Sequence, residues 1–288
     1  MIREGAKPRG HVKVRNYAKL AGMVLIFVLT VLIHAVETCA YAARLAGART
    51  GRMALANSLF NVLALVARGA NIIAGPLVGS LTDVAVSGQA IEALLGNYRV
   101  MLLGAALGTL IGGLAIPTLS RILAAAVASY ELRGSLPQVI IRGASVRGLW
   151  QIKRGWMPPR PGVVRQSWRS PLPKRFLLAS LFVTAVYTVS NFAALYASAV
   201  VPEGARTATS LAPLLNGFGT LLNIFFIDPI AALITDQAQH GDRPLADVTY
   251  ITIWQIGARL IGTLLAPALL APAGNALATL TRWLIALR

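Results

Sequence analysis

The stretch HAVETCAYAARLAGART, His34 to Thr50, sets a histidine, a glutamate, a tyrosine and two arginines directly behind the apolar run Leu20 to Val36. His34, Glu37, Tyr41 and Arg44 fall at offsets of three, seven and ten from the first, so a helix carries all four on one face. Two further cations, Arg68 and Arg259, lie deep inside apolar segments. At the centre of a membrane helix an arginine costs about 2.5–3.5 kcal/mol on insertion scales, so each must meet water, a carboxylate or an anion. Asn57, Asn61, Arg68 and Asn71, spaced four, seven and three apart, form a second stripe. Asn216, Thr220 and Asn223 form a third, which runs into Asp228 beside Pro229. Guanidinium forks match phosphate oxygens, while carboxylates and histidine can carry protons or hold arginines. Internal pairing, for instance Arg68 with Glu37 or Asp228, would fix helix register with no ligand. Three polar stripes together describe a wet groove.

Other chemistry has little material. The three histidines, His11, His34 and His240, are scattered, and His34 with Glu37 makes two ligands where zinc takes three or four. No metal and no cofactor is expected. The single cysteine, Cys39, excludes an intrachain disulfide. There is no Ser-His-Asp set, no phosphate-binding glycine loop and no acidic metal cluster, so the chain is not read as an enzyme. A net charge of +17 raises nucleic acid as a partner. The cations flank apolar spans, however, where topology and anionic headgroups account for them, so membrane lipids are expected and nucleic acid is not.

The elements that position these residues follow from composition. The chain is 56% hydrophobic and 13% charged, with mean hydropathy +0.65, where soluble domains are about a quarter charged. Several apolar stretches approach the roughly 20 residues that span a bilayer, which favours helices over a barrel. Residues 1–19 form a basic tail, and no cleavage site follows the first apolar run, which reads as an uncleaved span. Helix A is expected over about Leu20–Leu45, B over Met53–Leu81 and C over Val100–Ile116. Pro117 then starts a short helix D, Thr118–Ser129. Residues 131–175 carry ten Lys or Arg against one Glu, with Trp150, Trp156 and Trp168, and read as an interfacial linker. Within it LPQVIIRGASVRGLWQIKRG has the pattern of a surface-lying amphipathic helix. Runs such as LGTLIGG, Leu107 to Gly113, read as close helix packing.

The second half repeats landmarks of the first in order. YAARLAGART at Tyr41 matches YASAVVPEGART at Tyr196, and SLFN ending at Asn61 matches PLLN ending at Asn216. GPLVGSLTD at Gly75 matches DPIAALITD, Asp228 to Asp236, and TLSRIL at Thr118 matches TLTRWL at Thr279. The second copy then comprises A′ (Phe176–Val201), B′ (Leu211–Ile234), C′ (Val248–Leu270) and D′ (Ala273–Leu287). The fold class is an all-α integral membrane protein of about six transmembrane helices in two three-helix repeats, inverted as in many transporters, plus short kinked or interfacial helices. The domains are the tail 1–19, a first repeat 20–130, the linker 131–175 and a second repeat 176–288. Three crossings per copy put the two basic segments on opposite sides, and the more basic linker is taken as cytoplasmic. Balanced signals also permit insertion in both orientations, as an antiparallel homodimer.

The segments IHAVETCAYAARLAGARTGRMALANSLFNVLALVARGANIIAGPLVGSLTD, LPQVIIRGASVRGLWQIK, LPKRFLLASLFVTAVYTVSNFAALYAS and IFFIDPIAALITD resemble the Amj family, the alternate lipid II flippases of bacteria. The resemblance runs from about Ile33 to the end and leaves the basic tail aside. It implies a multi-pass protein of the bacterial cytoplasmic membrane, a counterpart to MurJ. The implied substrate is lipid II, undecaprenyl-pyrophosphate-linked disaccharide pentapeptide. The polar positions matching the family are Glu37, Tyr41, Arg44, Arg49, Asn61, Arg68, Asn71, Asp228 and Asp236. Within a groove also lined by His34, Asn216 and Asn223, Arg68 and Arg259 are expected to neutralise the pyrophosphate in transit. Arg44 and Arg49 would engage it at a groove mouth, and Glu37 and Asp228 would hold or release the arginines. The alternatives are an undecaprenyl-pyrophosphate phosphatase, another polyprenyl-lipid or proton-coupled transporter, and a scaffold whose stripes only pair with one another. Phosphate release by purified protein would separate the first from flipping.

Overall fold

A computed structural model describes the backbone of residues 9–133 and 155–287 and the side-chain surroundings of 20–128 and 155–287. The described residues form helices α1 (Arg9–Cys39), α2 (Tyr41–Thr50), α3 (Met53–Ser87), α4 (Ile91–Arg133), α5 (Pro161–Trp168) and α6 (Lys174–Val200). A 3₁₀ turn at Pro202–Gly204 leads to α7 (Ala205–Leu222), a π turn at Asn223–Ile227, α8 (Asp228–His240) and α9 (Ala246–Ala286). Six stretches among them are long and apolar enough to cross a membrane: 20–50, 53–87, 91–128, 174–200, 202–240 and 246–286. The protein is an all-α, multi-pass membrane protein. Helices win here because a helix satisfies its own backbone polar groups, which hydrocarbon cannot.

Several expected boundaries move. Pro117 does not divide helices C and D, because α4 runs through it, and α9 likewise runs through Pro267 and Pro272 where C′ and D′ were expected to part. A proline inside a helix frees the carbonyl four residues earlier, that of Gly113 for Pro117, a loss that neighbouring helices in a bundle make tolerable. Helix A instead breaks at buried Ala40, between α1 and α2, and its helix begins back in the basic tail at Arg9. Helix B′ starts earlier, at Ala205, and its π turn ends where Asp228 and Pro229 open α8. Single-turn π segments of this kind often mark functional positions.

In each half the first helix packs most extensively on the last, α1 on α4 and α6 on α9. Small residues permit the approach. Gly104, Gly108 and Gly112 recur every fourth residue along α4, and a Cβ at Gly112 would meet the Ala35 carbonyl oxygen at 2.6 Å. A Cβ at Gly108 would overlap the Val31 carbonyl, so the LGTLIGG run is a packing seam, as its composition suggests. Gly262 of α9 approaches α6 in the same manner, its Cβ direction meeting the Leu181 carbonyl oxygen at 3.1 Å. At one end of the bundle Tyr98 is fully buried, bonded to the Thr82 hydroxyl and edge-on to Phe192 at 5.1 Å. At the other end the described part of the linker, from residue 155, is tied down. The backbone N–H of Met157 donates to Thr118 Oγ1 at 2.9 Å, and Trp254 Nε1 donates to the Ser167 carbonyl at 3.1 Å. Trp168 lies 6.0 Å from Trp254. The amphipathic segment from Leu136, with Trp150, lies outside the described residues.

Candidate functional site

The charge-bearing face of α1 and α2 meets α9 in the middle of the bundle. Glu37 forms an ion pair with Nη2 of Arg259, and His34 Nδ1 sits 3.4 Å from the same nitrogen. Tyr41 lies within electrostatic reach of Arg259. The Nε–H of Arg259 is buried without an acceptor, so Glu37 does not use up the guanidinium's donors. One turn further, Arg44 Nη1 donates to Gln255 Oε1 at 2.6 Å. The cluster is largely covered: the side chains of His34, Arg259 and Glu37 keep 15%, 16% and 27% of their exposure.

Two stripes flank this centre. Arg68 on α3 lies within electrostatic reach of Glu37, and Asp228 at the start of α8 lies within reach of Arg44. On α3 the buried residues Ala56, Ala67, Ala74 and Val78 mark the core face and exposed Leu65 and Ile72 mark another. At about 100° per residue, Asn57, Asn61, Arg68 and Asn71 form the strip between them, and all four are exposed. On α7 Asn216, Thr220 and Asn223 hold the same intermediate position, between buried Ala208 and Gly219 and exposed Leu214, Phe218, Leu221 and Phe225. There the amides are occupied. Ser190 Oγ donates to Asn216 Oδ1, Asn216 Nδ2 donates to Asn191 Oδ1 at 3.3 Å, and Asn223 Nδ2 donates to Asp228 Oδ2 at 2.9 Å.

The structure thus joins His34, Glu37, Tyr41, Arg44 and Arg259, with Arg68 and Asp228 on either flank. It does not join them all as expected. Glu37 pairs with Arg259, one of the arginines it is expected to hold, rather than with Arg68, and Arg44 sits beside Gln255. Arg49, five residues on, donates to Ser120 Oγ at 2.9 Å and lines a small recess of about 180 Å³ with Leu45, Ala48 and the start of α9. Asp236 stands apart, exposed and paired at 3.6 Å with His240. Gln255, Ser190 and Asn191 were not anticipated. Gln255 precedes Arg259 by one helical turn, and Asn191, next to Ser190, is the one carboxamide of α6, which are the signals that could have exposed them. No group of three or more His, Cys, Asp or Glu able to hold a metal occurs among the described residues.

A family model described as "Alternate to MurJ" matches residues 29–281, a range that contains the whole cluster and both stripes, from the last third of α1 almost to the end of α9. The chain belongs to the Amj family. A Bacillus subtilis (strain 168) protein named "Lipid II flippase Amj" is 33% identical over 263 residues, covering 91% of this chain and 97% of that one. No solved structure matches. Membership sets the chain among transporters rather than enzymes. The match begins at Leu29, so the basic tail carries none of it.

Proposed function

We propose that this protein is a lipid II flippase of the bacterial cytoplasmic membrane. It would move the undecaprenyl-pyrophosphate-linked disaccharide pentapeptide from the inner to the outer leaflet for cell-wall synthesis. The observation that carries the reading is the exposed strip of α3 facing an arginine-rich centre. Arg68 has no ion pair among the described residues, although it lies midway along a membrane-spanning helix. A guanidinium so placed requires a polar medium or an anion, and a diphosphate entering from the side supplies one while its hydrocarbon tail stays in lipid. Arg259 contributes through its unfilled Nε–H, and Glu37 holds it until the anion competes. Arg49 and Ser120 lie nearer the linker end, where an anionic headgroup first meets the bundle. With three crossings on each side of the linker, the two halves face opposite ways and the stripes of α3 and α7 bound one cleft.

Complementation tests the reading. When a bacterium is depleted of its known flippases and supplied with this chain, lipid II becomes accessible at the outer surface and growth resumes. Failure at normal expression rejects the assignment. The Glu37–Arg259 pair by itself also fits a purely structural role, and that role requires that loss of Arg68 leave growth unchanged.

A further inference from the structure

The three carboxamides of α3, Asn57, Asn61 and Asn71, form no hydrogen bond with any described residue, whereas the amides of α7 are taken up by Ser190, Asn191 and Asp228. The fold therefore satisfies membrane amides where it uses them as helix glue and leaves these three open. An amide facing hydrocarbon alone is expensive, so the strip calls for water, a polar ligand or a polar partner helix. It continues past Asn71 through Gly75 and Gly79, which share its face and where an added Cβ would meet no atom within 4 Å. From Asn57 to Asn71 the strip covers roughly 21 Å of helix, most of the thickness of a bilayer core.

We propose that α3 is the rail for the uncharged, hydroxyl- and acetamide-rich glycan of the translocated headgroup, with Asn57, Asn61 and Asn71 as its successive hydrogen-bonding positions. The inference rests on the flippase reading and extends it to the part of the substrate that arginines do not recognise. Carboxamides suit this task because each offers two donors and an acceptor and so pairs with hydroxyl and acetamide groups in either sense. Neutral partners spaced along the path also avoid a deep well: passage requires binding weak enough to leave and repeated enough to continue. Arg68, set between Asn61 and Asn71, then meets the diphosphate while the sugars occupy the amides beside it.

Binding of two probes to the full-length protein in detergent tests this: undecaprenyl diphosphate, which lacks sugar, and lipid II. Wild type should prefer lipid II. The Asn57→Leu, Asn61→Leu, Asn71→Leu triple variant should lose roughly tenfold or more in lipid II affinity and keep its undecaprenyl diphosphate affinity. Leucine suits a lipid-exposed helix, and the single variants Asn61→Leu and Asn71→Leu give the same comparison if the triple variant misfolds. Equal weakening of both probes, or of neither, overturns the rail while leaving the flippase reading standing. A change in oligomeric mass with unchanged probe preference overturns it in favour of contact with a second copy. Wild type binding neither probe overturns both.

Discussion

Glu37 is the only carboxylate in direct contact with Arg259 among the described residues, so each is the other's main compensation inside an apolar bundle. Removing one member of such a pair strands the other, at a cost of about 3 kcal/mol or more when fully buried. The remaining exposure of 16% and 27% should reduce that figure here. Glu37→Leu and Arg259→Met should each lower the thermal transition in detergent, and the double variant should regain at least half of the loss, because no lone charge remains. If both groups serve transport, the double variant is nonetheless inactive in complementation. A double variant as unstable as the sum of the singles would show that the two do not act as a pair. The residues of this centre were readable from helical spacing, since His34, Glu37, Tyr41 and Arg44 do share a face. Their partners were not: Arg259 meets Glu37 across 222 positions, through packing that no local pattern encodes. Gln255 was missed because one amide in an apolar helix resembles ordinary helix glue.

At the scale of elements, hydropathy alone gave the six spans, and turn chemistry misled about their ends. Pro117 looked like a boundary and is not one, because α4 packs along its length on α1 and α9, which holds the helix together through the one backbone bond that the proline removes. The break at Ala40 has no proline or glycine to announce it. The glycines of α4 were legible as packing and are sharply position-dependent. Gly108→Val should prevent α1 from seating on α4, since even a Cβ would collide with the Val31 carbonyl. Loss of monodisperse protein on size-exclusion chromatography reads this out, and a well-behaved variant would contradict the seam. Gly75→Ala on α3 faces open space and should instead raise stability by up to about 1 kcal/mol through helix propensity.

At the scale of the whole molecule, crossings by all six long apolar stretches put residues 20 and 286 on one side and residues 128 and 174 on the other. The positive-inside rule then favours a cytoplasmic linker, with Arg160, Arg165, Arg169, Lys174 and Arg175 beside it. In a Cys39→Ser background, Gln166→Cys should react with a membrane-impermeant maleimide only after lysis, and Ser87→Cys should react in intact cells. The reverse pattern would invert the orientation. The repeated landmarks fall on corresponding elements in the two halves, yet the centre is unequal: the first half supplies His34, Glu37 and Arg44, and the second supplies Gln255, Arg259 and Asp228. That division of labour is visible only in the structure.

The central claim is that Arg68 and the cluster behind it conduct a diphosphate headgroup through the bundle. Purified protein in liposomes loaded with lipid II on the inner leaflet tests it most directly, with outer-leaflet exposure followed over time. Wild type should equilibrate the lipid between leaflets, and Arg68→Met, folded and inserted to the same extent, should fall to the rate of protein-free vesicles. Equilibration by Arg68→Met at the wild-type rate would contradict the account.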